Sequence, residues 1–263
     1  MRTIITGAAS GIGRATALQF ATKTMTDESP AMLLVDRDAA GLSSIAAEAS
    51  SGGATVHTFV GDLADPMVPA RIVTEAVARL GGLDVLISNA GVIHMKPLVD
   101  LDADQFDWMM NINARATLLL GRAAHPHLKA SKGAIVATAS SAAENPAVPL
   151  GAYSTSKAAL VMLIRQMAAE WGPDGIRCNC VSPGPTHTAM TKASYDDSEA
   201  RERRGREIPL GRVGQPEDLA RAIHFLAGPG AAFISGVNLL VDGGLSATLG
   251  NSKNSAANTI AQQ

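Results

Sequence analysis

The chain has 263 residues, 46% of them hydrophobic, with 24 acidic against 22 basic side chains and a formal charge of −2. This is a globular composition, and its near-neutral balance lacks the overall positive field that would select a nucleic-acid backbone or an anionic lipid surface. The longest apolar stretches, such as residues 158–164 between Lys157 and Arg165, fall far short of the roughly 20 residues that cross a bilayer, so neither nucleic acid nor a membrane is an expected partner. Gly7, Gly11 and Gly13 interrupt the apolar N-terminus where a signal peptide needs a continuous run. A cytoplasmic protein is the expectation.

A first strand over residues 3–6 runs into Thr6-Gly7-Ala8-Ala9-Ser10-Gly11-Ile12-Gly13, and a helix follows over 12–21. Glycines there allow a tight turn, a close approach of phosphate oxygens to the backbone and close packing of helix on strand. The helix N-terminus adds unpaired N–H groups suited to a pyrophosphate. The spacing is Gly-x3-Gly-x-Gly, so by itself it fits a nucleotide turn and an ordinary loop equally well. After a surface loop over 22–30, a second strand over 32–35 ends at Asp36, 23 residues beyond Gly13. An acid in that place binds a ribose diol and opposes a 2′-phosphate, and Ser10 brings no cation into the turn, so NAD is favoured over NADP. Arg37 points the other way, since a guanidinium beside Asp36 could hold a phosphate.

Helix 39–49, strand 55–60, helix 66–80, strand 85–88, a long helix over 103–128 and strand 134–138 continue the alternation. The last of these strands delivers Ser140 at its carboxyl end, the side on which open parallel sheets bind ligands. Thirteen residues later Tyr153 and Lys157 stand one turn apart on a helix over 152–171. A free phenol has a pKa of about 10, and bringing it to neutrality takes about 4 kcal/mol, which a neighbouring ammonium and a bound nicotinamide cation can supply. A phenol so tuned exchanges a proton with an alcohol oxygen. That helix carries more apolar residues (Leu160, Val161, Leu163, Ile164, Met167) than one core-facing stripe requires, which points to a buried helix or a subunit interface.

Strand 176–181 places Cys178 and Cys180 on one face as reduced filler, since so short a loop does not permit disulfide geometry. Residues 189–209 form a candidate lid with Met190, Tyr195 and an arginine run. That run attracts an anion, or else it pairs with Glu199, Glu202 and Glu207 on a solvated helix. His94 borders the pocket or sits in a surface loop, and His125 and His127 are structural. Helix 216–226 and strand 237–241 complete the series, before a polar tail over 251–263. No His, Cys and carboxylate spacing suggests a metal site. At roughly 150 residues per domain the length allows two, but each helix is needed to cover one sheet. The expected fold is single-domain α/β over residues 1–250, a doubly wound parallel sheet of seven strands with helices on both faces.

Over residues 2–245 the sequence resembles the roughly 250-residue branch of the short-chain dehydrogenase/reductase family, whose fold is of the Rossmann type. Residues 6–13 look like its cofactor turn, with Gly7, Ser10, Gly11, Ile12 and Gly13, and Asp36 with Arg37 stands at its ribose position. Asp62-Leu63 resembles its adenine contact, and Ser88-Asn89-Ala90-Gly91 its Asn-Asn-Ala-Gly segment with Ser for the first Asn. Pro183-Gly184 with Thr186 and Thr188 resembles its nicotinamide-side loop, and residues 241–244 its closing strand and turn. Asn113, Ser140, Tyr153 and Lys157 fall at positions similar to its catalytic tetrad; Asn111 lies near, and the helical phase from Phe106 favours Asn113.

The resemblance implies hydride transfer between a nicotinamide and a carbon bearing oxygen, interconverting a secondary alcohol and a ketone. In that scheme Tyr153 is the general acid or base, Lys157 lowers its pKa and holds the ribose, Ser140 binds the substrate oxygen, and Asn113 supports a proton-relaying water. It also implies a homotetramer, with a dimer as the alternative, through the Tyr153 helix and the one bearing Asn113. The segment from Ser140 to Asn145 resembles that of bacterial hydroxysteroid dehydrogenases, and small Ala142 and Ala143 leave room for a ring, so a bulky or cyclic alcohol is one expected substrate, beside polyols, small hydroxy compounds and 3-oxoacyl thioesters. The alternatives are an NADPH-dependent 3-oxoacyl or carbonyl reductase and a nucleotide-binding regulator without turnover.

Overall fold

Seven short apolar runs become the strands of one parallel sheet in the computed structural model, which describes residues 1–22 and 29–248. They are β1 (Arg2–Thr6), β2 (Ala31–Asp36), β3 (Thr55–Val60), β4 (Val85–Ser88), β5 (Ala134–Thr138), β6 (Arg177–Pro183) and β7 (Asn238–Val241). Their order is β3-β2-β1-β4-β5-β6-β7. The helices between them are α1 (Gly11–Ala21), α2 (Ala39–Ser51), α3 (Val68–Leu80), α4 (Ala103–Met110), α5 (Ala116–Ser131), α6 (Ala152–Trp171), α7 (Lys192–Tyr195), α8 (Ser198–Arg206), α9 (Pro216–Ala227) and α10 (Leu245–Thr248). The expected loop over 22–30 falls largely, and the tail over 251–263 wholly, outside the described residues. No helix among the described residues is long and apolar enough to cross a membrane.

Buried parallel strands need apolar side chains on both faces, and alternation assigns each residue to one of two cores. Ile4, Leu33, Leu86, Ile135 and Cys180 pack with Ile72 of α3, Leu120 of α5 and Leu160 of α6. Their sequence neighbours Ile5, Leu34, Ile87, Val136 and Val181 pack with Ala17 of α1, Leu42 of α2 and Leu219 of α9. Cys178 and Cys180 both face the α6 side, unpaired, where burial pushes both thiols up to about 12. Arg177, at the start of β6, donates to the carbonyls of Leu226, Ala227 and Gly228 and so satisfies the end of α9.

Two strands run further at their carboxyl ends than expected, for the same reason. β2 runs on to Asp36 and β6 to Pro183, because Asp36 pairs with Val60 and Pro183 with Val241 in ladders indifferent to side-chain polarity. A larger difference is that the helix expected over 103–128 is three pieces. α4 and α5 are joined by a π turn over Asn111–Arg115, in which the N–H of Ala116 reaches the carbonyl of Asn111. The extra residue per turn widens the helix where the side chain of Asn113 is drawn inward to Val92 and Ser156.

Thr6 is fully buried, and its hydroxyl oxygen accepts from the backbone N–H groups of Asn89 (3.0 Å) and Ala90 (3.1 Å), joining the carboxyl end of β1 to the chain leaving β4. Thr6→Val keeps the shape and orphans both donors, so it is expected to destabilise the protein by about 2–4 kcal/mol. The shift in the urea unfolding midpoint at constant slope measures it.

Candidate active site

β1 and β4 lie side by side, but the chain leaves β1 toward β2 on one side and leaves β4 toward β5 on the other. The crossovers diverge there and leave a crevice at the carboxyl ends of the strands. A cavity of about 630 Å³ occupies this crevice. The glycine turn floors it. Gly7 adopts φ +67°, and a Cβ on it would stand 2.9 Å from Ala90 Cα, so only glycine lets the turn lie this close to the neighbouring strand. The side chain of Asn89 donates to the carbonyls of Thr6 (3.1 Å) and Gly7 (3.4 Å), and its oxygen accepts from Thr138 (3.0 Å). Ser10 caps α1 without a side-chain hydrogen bond, so the first N–H groups of the helix open onto the cavity beside Gly11 and Ile12.

Gly13 does not line this cavity. A Cβ there would lie 2.0 Å from the carbonyl oxygen of Gly7, so this glycine lets α1 pack on the turn and does not itself face a ligand. Asp36 and Arg37 lie on the cavity wall at the end of β2. The carboxylate of Asp36 accepts from the backbone N–H groups of Ala9 (3.0 Å), Arg37 (2.8 Å) and Asp38 (3.1 Å), which pins it against the glycine turn with one acceptor site to spare. Asp62 and Leu63 line the same end, with Asp62 accepting from the N–H of Ala64 at 2.9 Å.

At the opposite end stand Ser140, Tyr153 and Lys157. Ser140 leaves β5 in extended conformation and caps the short turn Ser141–Ala143, its oxygen accepting from Ala142 N–H at 3.1 Å. Tyr153 sits in the first turn of α6 and hydrogen-bonds Ser140, while Lys157 lies a turn further on with its Nζ 5.8 Å from the phenol ring centre. Lys157 is buried, donates to the carbonyl of Thr138 at 2.8 Å and has no carboxylate partner among the described residues. Burial therefore lowers its pKa to about 8. Burial also raises the Tyr153 phenol above its ordinary value, against the opposing hydrogen bond with Ser140, so without a nearby positive charge the neutral phenol is the stable form.

Asn113 does not reach the cavity wall. Its amide donates to Val92 O and Ser156 Oγ (both 2.9 Å), and its oxygen accepts from Val92 N–H at 2.8 Å. Asn113 and the lysine meet the same face of Gly91: a Cβ there would stand 3.2 Å from Asn113 Oδ1 and 3.3 Å from Lys157 Nζ. Asn89, Ala90, Pro183, Gly184, Thr186 and Thr188 all line the cavity. The last two belong to a loop knotted by Thr191, whose hydroxyl donates to Thr186 O at 2.6 Å.

The family model described as enoyl-(acyl carrier protein) reductase matches residues 7–246. The L-rhamnose 1-dehydrogenase (NAD(P)+) of Azotobacter vinelandii is 36% identical over 247 residues, covering 92% of this chain and 95% of that protein. The meso-2,3-butanediol dehydrogenase of Serratia marcescens is 34% identical, covering 95% and 96%. A short-chain dehydrogenase from Burkholderia cenocepacia, solved in complex with NADP, superposes with a TM-score of 0.85 at 32% identity, covering 93% of this chain and 97% of that one. The chain belongs to the short-chain dehydrogenase/reductase family. It is an NAD(P)-linked oxidoreductase of secondary alcohols and ketones.

Within this family fold the Ser140 end of the cavity departs from the sequence-based expectation in two places, Ala143 and the lid. Ala142 lines the cavity but Ala143 packs against the core, so only one of the two small residues enlarges the pocket. The lid is two short helices, α7 and α8, and of its expected ion pairs only Arg204 with Glu207 forms among the described residues. Arg201 instead donates to the carbonyl of Tyr195 at 2.8 Å, and Arg204 itself faces the cavity. His94 lies off the cavity wall, while His125 bonds Asp174 at 3.0 Å and packs edge-on against Trp171.

One positioning residue escaped the sequence reading. Arg115, closing the π turn, donates to Ala64 O at 2.7 Å and so holds the Asp62-Leu63 segment from behind, with its buried Nε otherwise unpartnered. Its only sequence signal is a cation on a helix whose neighbours are apolar. Arg115→Met is expected to weaken NADH binding roughly tenfold, the loss of one charged hydrogen bond. The inhibition constant of AMP should rise by the same factor while that of nicotinamide mononucleotide stays within about twofold, measured by fluorescence titration and inhibition kinetics.

Proposed function

We propose that this chain is a cytoplasmic, NAD(H)-dependent dehydrogenase of a secondary alcohol, with residues 1–250 forming one catalytic domain. The observation that carries the reading is that Ser140, Tyr153 and Lys157 form the far wall of the same cavity whose near end is the glycine turn. A dinucleotide fits these residues: positive-φ glycines at Gly7 and Gly11, an uncapped helix start and an acid at the end of β2 make a cradle that side chains would fill. When bound, the nicotinamide accepts or supplies the hydride.

The protein's own residues handle the proton. In oxidation the Tyr153 phenolate takes the proton of the alcohol oxygen, and in reduction the phenol returns it, while the Ser140 hydroxyl donates to that oxygen as charge develops. The ammonium of Lys157 favours the phenolate and reaches toward the ribose. Asn113 Oδ1, on the same face of Gly91 as the ammonium, keeps one acceptor site for a water that carries protons to Lys157. NAD is favoured because the pinned Asp36 carboxylate meets a ribose diol as an acceptor and a 2′-phosphate as a like charge. Use as an NADPH-linked 3-oxoacyl or carbonyl reductase would need Arg37 to take that phosphate. Its side chain is exposed on the same wall without a partner among the described residues. Exposed Met162 on α6, Leu118 on α5 and Trp108 on α4 support pairing of subunits through these helices, in a homotetramer or a dimer.

Oxidation requires the deprotonated phenol, so kcat/KM for NAD reduction should rise with pH to a plateau set by an apparent pKa below the free phenol's about 10, and ketone reduction should fall through the same range. Tyr153→Phe should lower both by about a thousandfold while NADH still binds; activity indifferent to this change would mean that the chain is not the catalyst. Titration with both reduced cofactors should show NADH at least ~10-fold tighter than NADPH, and Asp36→Ser should narrow the gap; a clear NADPH preference would overturn the cofactor assignment.

A further inference from the structure

We propose that Asn145 and Ser246 read a second hydroxyl group of the substrate, so that the alcohol oxidised here carries another hydroxyl on the adjacent carbon or one carbon further. The inference rests on Ser140 and Tyr153 being the reacting centre. The backbone N–H of Asn145 bonds Ser141 O at 3.0 Å, and that of Ala143 bonds Ser140 O at 2.9 Å, so the chain coils once after Ser140 and presents Asn145 on the same cavity wall. One such turn advances the chain by only about 5–6 Å, within the reach of neighbouring oxygens on a small molecule. Across 101 positions of sequence, Asn145 Nδ2 donates to the hydroxyl of Ser246 at 3.3 Å. Ser246 is itself fixed, its backbone N–H held by the Asp242 carboxylate at 2.8 Å.

This contact leaves hydrogen-bonding capacity over. The second N–H and the oxygen of Asn145 have no protein partner among the described residues, while the hydroxyl of Ser246 donates to the Asp242 carboxylate and keeps one acceptor site beside Asn145. A donor and an acceptor side by side match a hydroxyl, which is both at once, and neither carries charge that would ask for a carboxylate. The cavity wall on this side mixes apolar Leu150, Met190 and Leu245 with the hydroxyls of Ser194 and Tyr195, and the one lid cation on it, Arg204, is already paired with Glu207. A hydrocarbon ring pressed against this wall would bury the Asn145 and Ser246 groups unsatisfied, whereas a diol or polyol satisfies them. A site built to bond a hydroxyl discriminates strongly against the analogue lacking it.

The test compares kcat/KM on pairs that differ in that one group, 2,3-butanediol against 2-butanol and 1,2-cyclohexanediol against cyclohexanol. The wild type is expected to prefer the diol in at least one pair by ~50-fold or more, and Asn145→Leu to cut that diol-to-mono-alcohol ratio by roughly 10- to 100-fold. Ser246→Ala should cut it in the same direction by a smaller factor, and residual turnover of the mono-alcohol in each variant reports that the protein is folded. Equal efficiency on both members of each pair, an unchanged ratio in Asn145→Leu, or silence on every diol would overturn the inference. Tyr153-dependent turnover of mono-alcohols in any of those cases would leave the catalytic reading standing, and silence on diols and mono-alcohols alike would sink both.

Discussion

The side chain of Asn89 is the tie on which the rest of the site depends. Its amide holds the carbonyls of Thr6 and Gly7, its oxygen takes the hydroxyl of Thr138, and the carbonyl of Thr138 in turn holds the ammonium of Lys157. Three strands, β1, β4 and β5, are thereby locked at their carboxyl ends, at the place where diverging crossovers would otherwise leave backbone groups unpaired. The glycine turn and the Tyr153 helix belong to opposite halves of the sheet, and this chain of bonds sets their distance. Because each donor is matched to one acceptor in a largely buried setting, the network has little freedom to adjust. The cavity wall from Asp36 to Lys157 is therefore held at a fixed length.

The electrostatics of the reacting end follow from that geometry. Lys157 is carried into the interior by α6 and pinned to a carbonyl, which satisfies one N–H but neutralises no charge. Burial lowers its affinity for a proton while it raises that of Tyr153 for its own, so the two side chains are poised toward their neutral forms. A positive charge arriving beside the phenol shifts that balance toward phenolate. The pair therefore responds to the charge of what occupies the cavity.

Around this rigid half, the substrate wall is assembled from pieces with fewer constraints: the coil after Ser140, the α7–α8 lid and α10. Each is short, and local hydrogen bonds such as Arg201 to Tyr195 O and Asn145 to Ser246 help to hold it. Such segments can change without disturbing the sheet, which accounts for relatives that keep the architecture while acting on rhamnose or butanediol.

Much of this was legible in the chain. The period of apolar residues predicts seven strands at their observed places and α6 over its full length, and the turn from Thr6 to Gly13 announces its geometry because only glycine tolerates it. Tyr153 and Lys157 share a face by helical spacing alone. These are local matters, decided within a few residues by backbone sterics and side-chain period. Which residues meet across the fold is decided otherwise. That Gly13 packs on Gly7 and does not face a ligand, that Asn113 spends its amide on Val92 inside a π turn, that Ala143 turns to the core, and that Arg115 supports Ala64 all depend on how the crossovers bring distant elements together. Asn145 and Ser246, 101 positions apart, are neighbours only because β5 and β7 flank β6 and end on the same side of the sheet. Side-chain periodicity carries no record of such partners, so the identity of the chemistry lay in the sequence while the shape of the pocket came from the packing.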